Sequence, residues 1–254
     1  GATPAGRDRR YSSPDASPLD EICDTYEVMK APKDRHSRAS LIAGMAVAVA
    51  AALYAVLFTT TCFAKYANFR YVDYDLAHHA QSVWNVLHGS LDCPIIGLPF
   101  LGNHMVPILF LLAPFCAVID PARSLLLIQS AMLAMGAWGL FLIGRRMLPL
   151  GWAVAWAFLY LLYPPLWYMN LFEFHPVVLA STFLIFAFHF YRQERFPPCL
   201  VFLTLALLCQ ENVSLIVAGF GVLALFQRRK ARWVWVPLVA GALGLMMAGT
   251  GEPD

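Results

Sequence analysis

The sequence predicts an all-α fold, a polytopic bundle of transmembrane helices with an interfacial helix in its first outer loop. Three observations predict it. Hydrophobic residues make up 59% of the chain and charged residues 13%, with a mean hydropathy of +0.60. Soluble domains run at roughly half and a quarter. The charges are also segregated, fourteen of them lying before Ser40. Finally, apolar runs recur throughout the remainder. A formal net charge of +2 gives no pointer to nucleic acid, and membrane lipid is the expected partner.

Residues 1–40 are rich in Pro, Ser, Asp and Arg and show no apolar period, which predicts a disordered tail. Residues 41–254 form the transmembrane domain. Its first span, 41–64, is 24 residues without a charge, where about 20 suffice to cross ~30 Å of hydrocarbon. Further apolar runs cover 105–119, 124–144, 150–168, 176–191, 197–209, 213–226 and 233–248. Tyr160, Tyr163, Trp167, Tyr168, Trp233 and Trp235 crowd their ends as an interfacial belt. Ending on Gly251-Glu252-Pro253-Asp254 just after an apolar run, the chain reads as C-terminally incomplete. Its cysteines show no CxxC spacing, which gives no disulfide framework or zinc site.

Basic residues orient the bundle. The tail, Arg145-Arg146, Arg192/Arg195 and the cluster Arg228-Arg229-Lys230/Arg232 fall on one cytoplasmic side only if 105–119 does not cross. That run is short and holds Pro107 and Pro114, so a re-entrant or interfacial helix is expected. About seven spans follow, in the plasma (inner) membrane, with the N-terminus cytoplasmic and a first outer loop over 65–121. The last joint requires 197–226 to be two short helices meeting at Gln210-Glu211-Asn212. A single broken helix there inverts the end of the chain.

This topology gathers polar residues on the outer face. The first outer loop carries Asp73, Asp75, His78, His79, Asp92 and His104; the second carries Asn170, Glu173 and His175; the third carries Glu211. In the first, Leu76, Ala80, Val83, Trp84 and Leu87 recur at helical spacing and are expected to bury. Asp75, His78, Ser82 and Asn85 form the opposite stripe, with His79 beside it. Such a helix is either a plain interfacial connector or a platform for chemistry. Asp75 suits a general base, a divalent-cation ligand or simply an N-cap. His78, His79 and His104 with Asp75 have the residue types of a nitrogen-oxygen metal shell, though no ligand spacing backs it. Asp75 and His79 are the candidate ligands, and a divalent metal ion is the one cofactor admitted. Glu173, His175 and Glu211 sit in apolar surroundings, where an acid is either hydrogen-bonded structure or functional. Arg123 opens a span, where it either binds phosphate together with the helix N-terminus or snorkels to head groups.

Several of these segments carry a family resemblance. They are Asp75-Leu76 running to Gln81, Trp84-Asn85 and His88-Gly89, Gly102-Asn103-His104 before Pro107-Ile108-Leu109, Asn170-Leu171-Phe172-Glu173-Phe174-His175-Pro176, and Gln210-Glu211-Asn212. Together, over roughly 69–226, the chain resembles an uncharacterised prokaryotic family of predicted membrane proteins grouped with the GT-C glycosyltransferases. The resemblance implies a GT-C-like bundle that takes a sugar from a polyprenyl-phosphate carrier and transfers it on the extracytoplasmic side. It places Asp75, with Asp73 as neighbour, at the acidic position of the first outer loop. His104, Arg123, Glu173, His175 and Glu211 then bind substrate. The chain departs from the family pattern at Ala80, where a second acid is usual, and at Gln210 and Asn212, where Lys and Asp are usual. Two other classes stay open: a non-enzymatic transporter, marked by ionisable residues at mid-span, and a structural member that keeps the fold without activity.

Overall fold

In a computed structural model, residues 38–102 and 104–248 are described. The predicted tail before residue 38, Asn103 and the last six residues lie outside them. The chain leaves with α1 (Arg38–Ala67) and turns into α2 (Asp75–Leu87). A two-stranded ribbon follows, β1 (Asp92–Cys93) antiparallel to β2 (Leu98–Pro99), with Asp92 opposite Pro99. Eight more helices complete the described fold: α3 (Ile108–Cys116), α4 (Pro121–Met147), α5 (Leu150–Leu161), α6 (Pro164–Leu171), α7 (Pro176–Arg192), α8 (Phe196–Leu207), α9 (Ser214–Phe226) and α10 (Ala231–Ala248). A 3₁₀ turn over Glu211–Val213 precedes α9.

Among the described residues two helices, α1 and α4, are long and apolar enough to cross a membrane. α5 with α6 makes a third candidate, bent by 41° at the break. At 1.5 Å per residue the 30 residues of α1 reach about 45 Å, well beyond the ~30 Å of hydrocarbon. The bend falls before Pro164 and Pro165, which open α6 and cannot donate into a continuing helix. The other apolar helices are shorter.

α1 and α4 run antiparallel. Near one end Arg145 Nη2 donates to Ser40 Oγ at 2.9 Å; at the other, Phe63, Ala64 and Ala67 line a cleft with Ile119, Asp120 and Arg123. Because α4 begins beside the end of α1, the nine-residue α3 returns the chain to the level it left. Its first amide, Ile108 N–H, donates to Leu208 O at 2.8 Å, and its apolar face packs on α2.

The joint at 208–213 is a hairpin. Tyr191 OH donates to Gln227 Oε1 at 3.0 Å and Arg229 Nη1 to Tyr191 O at 2.9 Å. Trp233 meets both Tyr191 and Phe196 edge-on. The end of α9 therefore lies beside the start of α8, whereas a single broken helix would have carried it away. α10 then returns against α9. A Cβ on Gly221 would stand 2.6 Å from Val234 O, and one on Gly241 2.6 Å from Ser214 O. Small residues are what let these two backbones meet.

The connecting segments 68–102, 104–107, 172–175 and 208–213 thus share one end of the bundle. Arg145, Arg146, Arg192, Arg195 and Arg229 share the other.

Candidate functional site

The site is assembled at the loop-bearing end from three hairpins. Glu173, 1% exposed, sits between Leu171, which closes α6, and Pro176, which opens α7. Its Oε1 accepts Asp73 N–H at 2.9 Å and its Oε2 accepts Leu76 N–H at 2.7 Å. A distant carboxylate therefore caps α2. The N-cap position itself, Tyr74, offers no side-chain bond. Capping is the role one reading of Asp75 gave to that residue; here Glu173 performs it, because two charge-assisted bonds compensate a buried carboxylate. Asp75 is freed for other work as the first residue of the helix.

Asp75 Oδ2 lies 2.7 Å from His175 Nε2, and its Oδ1 lies 3.8 Å from His78 Nδ1. The side chains of Asp75 and His175 are about a quarter and a third exposed. His175 Nδ1 faces Glu173 O at 3.3 Å. The imidazole therefore bridges the Asp75 carboxylate and the Glu173 carbonyl, which orients the pair.

A fully buried Gln129 from the middle of α4 fixes the hairpin. Its Nε2 donates to Glu173 O and its Oε1 accepts His175 N–H, both at 3.0 Å. Ser130 Oγ donates to Asn170 Oδ1 at 3.0 Å, and Asn170 Nδ2 reaches Tyr54 OH on α1 at 3.4 Å. Sequence reasoning passed over Gln129-Ser130 inside an otherwise apolar run. Two adjacent polar residues in a span were the available signal, since each must find a partner.

The amphipathic assignment of α2 holds in part. Leu76 and Val83 of the predicted apolar stripe are buried, but so are His78, His79 and Ser82 of the polar one, whereas Trp84 is 51% exposed and Leu87 faces outward with it. The polar stripe turns inward because the protein satisfies much of it. Ser82 Oγ donates to His78 O at 2.7 Å and His78 Nδ1 meets Tyr74 O at 3.3 Å. The outward stripe suits an apolar surrounding, with Trp84 stacked on His88 at 3.9 Å. Burial holds the imidazole of His78 below its ordinary value. The same desolvation, aided by the fields of His78, His175 and His104, drives His79 well below.

The remaining predicted residues divide. His104 Nδ1 lies 2.7 Å from Glu211 Oε1, and Met105 N–H donates to Glu211 Oε2 at 2.9 Å. This ties the third hairpin to the first. Asp73 is exposed, and its Oδ1 accepts Tyr74 N–H. Arg123 is not brought to the acids. Its Nε pairs with Asp120 Oδ2 at 3.5 Å and its guanidinium lies over Tyr66. Asp120, unremarked in the sequence, caps α4 by accepting from Ala122 and Arg123 N–H. Those amides are therefore already engaged by a carboxylate.

The described residues place no group of three or more His, Cys, Asp and Glu side chains that could hold a metal. Asp75 turns to His175, whereas His79 packs on His78 and edge-on to Phe174, with a buried Nδ1 lacking a hydrogen-bond partner. Among the described residues the candidate ligands Asp75 and His79 thus turn to different partners.

Residues 65–250 match the family described as Predicted membrane protein (DUF2079). The chain belongs to this family. All three site hairpins fall within the matched stretch, while most of α1 precedes it. No curated protein and no solved structure matches.

Proposed function

We propose that the chain is a membrane-embedded glycosyltransferase, moving a sugar from a polyprenyl-phosphate donor to an acceptor on the extracytoplasmic side. Asp75 acts as general base. It takes the proton of the acceptor hydroxyl as that oxygen bonds to the anomeric carbon, and the carbon–phosphate oxygen bond breaks with its electron pair leaving on the phosphate. His175 holds Asp75 and shares the proton, while Glu173 fixes the first turn of α2 beneath it. His104 contributes positive charge near the departing phosphate when protonated, and Arg123 meets lipid phosphate at the rim. Catalysis rests on positioning and on stabilising charge in the leaving group.

The single observation carrying this reading is the 2.7 Å contact between a partly exposed Asp75 and His175, beside a helix with an apolar outer stripe. A transporter would be expected to keep ionisable groups at mid-helix. Here the buried mid-helix groups on α4 are the neutral Gln129 and Ser130. Transfer from a polyprenyl-phosphate sugar, measured on the full-length protein in proteoliposomes, tests the proposal. Asp75→Asn is expected to slow it at least about 100-fold, as for loss of a general base. An unchanged rate removes Asp75 from the mechanism, and no transfer by the unaltered protein with any such donor favours the structural reading.

A further inference from the structure

Two exposed aromatic rings stand beside the Asp75–His175 pair, and the proposed chemistry uses neither. Phe172, the residue that caps the end of α6, is 49% exposed. Its ring centroid lies 5.6 Å from that of His175, with the two planes 30° apart. Tyr74, the residue before α2, is 54% exposed, and its ring lies 5.6 Å from that of His78. Both imidazoles face one carboxylate, His175 at Asp75 Oδ2 and His78 at Asp75 Oδ1. The order of contact is therefore Phe172, His175, Asp75, His78, Tyr74, with an exposed ring at each end of the row. The backbone fixes both ends. Glu173 accepts the amides of Asp73 and Leu76, which bracket Tyr74 in the chain. Phe172 N–H donates to Tyr168 O at 2.9 Å, and the neighbouring Leu171 carbonyl accepts from Lys65 Nζ.

We infer that Phe172 and Tyr74 hold the acceptor by stacking, and that this acceptor is a neutral hexopyranose unit of a glycan. The inference rests on the reading of Asp75 as the base that takes the acceptor proton. A pyranose presents two kinds of surface. Its hydroxyls want charged or strongly polar partners, which Asp75 and His175 supply at the centre of the row. Its axial C–H bonds form an apolar patch that suits the negative face of an aromatic ring. A serine or a lipid hydroxyl needs only the centre of the row, whereas a sugar ring also uses its ends. Charge narrows the class further. Asp73 is exposed next to Tyr74, and with Asp75 it makes this a negative site that repels an anionic sugar. Lipid anchoring alone gives no reason for each ring to pack on an imidazole that faces the same carboxylate.

The test is saturation-transfer NMR on the full-length protein in nanodiscs, irradiating aromatic protons and subtracting empty nanodiscs. The probes are methyl β-glucoside, methyl β-galactoside, methyl α-mannoside and methyl β-glucuronide. At least one neutral glycoside should gain saturation on its ring C–H protons, with the glucuronide far weaker. Phe172→Leu/Tyr74→Leu should lower that signal at least about fivefold and Phe172→Leu alone about threefold, while Phe172→Tyr keeps it. Should the double variant misfold, the single one decides. Asp75→Asn should keep the saturation while stopping transfer. Saturation without transfer from any polyprenyl-phosphate sugar leaves the sugar site standing and removes only the base. No saturation of any neutral glycoside, or the same saturation in the folded double variant, overturns the inference. A glucuronide that binds as well overturns the neutral class. Quenching of Phe172→Trp and Tyr74→Trp by brominated lipid, with no sugar signal, assigns the rings to the bilayer instead.

Discussion

The two ends of the bundle handle charge in opposite ways. At the loop-bearing end, acids are drawn inward and consumed. Glu173 binds two backbone amides, Glu211 binds His104 and the Met105 amide, and Asp75 binds His175. At the other end, arginines lean on rings and reach single oxygens: Arg229 stands 4.0 Å from the Tyr191 ring centroid and donates to Tyr191 O, and Arg232 stands 5.1 Å from the Phe196 centroid. The difference follows from reach and desolvation. A short carboxylate must be carried to its donors by the backbone, so it specifies where hairpins meet. A long guanidinium can reach its partners from many backbone positions, so it constrains the backbone less tightly. The acid end is therefore the part of this fold with enforced geometry, and it is where a reaction that depends on positioning would sit.

The sharpest way to break this contrast is to remove the cap. Glu173→Ala leaves the buried Leu76 amide and the part-buried Asp73 amide without an acceptor and is expected to cost about 3 kcal/mol, read as a lower midpoint in detergent melts. Arg232→Ala at the basic end, an exposed residue that lies over the Phe196 ring, should cost under about 1 kcal/mol. Equal losses would erase the distinction. Next in size is Gln129→Leu, which removes both bonds to the 173–175 backbone and is expected to cost about 2 kcal/mol. It should also lower any activity that depends on His175. Gly221→Val, which forces a side chain against Val234 O, is expected to cost about 1–3 kcal/mol by overpacking without altering the acid end.

Acid titration sharpens the comparison further. Burial depresses His78 and His79 below the ordinary 6.5, so the unfolded chain takes up protons before the folded one. Their contribution is complete above pH 6.5 and declines as the pH falls below it toward the folded values. Melting midpoints should drop between pH 6.5 and 5, and His79→Phe should flatten that slope. The smallest effect is expected at Glu211→Gln. It weakens a contact whose histidine is half exposed and should cost about 1 kcal/mol or less.

Much of this was legible in the sequence. Composition and charge segregation predicted the helical membrane class. The basic clusters, with Pro107 and Pro114, predicted that 105–119 turns back, and Gln210-Glu211-Asn212 marked a hairpin. What the sequence obscured was which polar group serves which. Periodicity assigned the polar stripe of α2 to the outside because an amphipathic pattern reads the same whether its polar face meets water or buried partners. The capping of α2 by Glu173 crosses nearly a hundred residues, and no local spacing encodes such a bond. Gln129 was passed over for the same reason, since its two partners lie on another hairpin.

The account stands on the meeting of the first and second hairpins, and one measurement reaches it directly. With the other cysteines replaced, Asp75→Cys/His175→Cys in intact membranes should form a disulfide on mild oxidation, joining the two fragments cut by a protease between them. Each single cysteine should react with an impermeant thiol reagent from the same side of the membrane. A pair that never cross-links, or that labels from opposite sides, contradicts the convergence on which the proposed site depends.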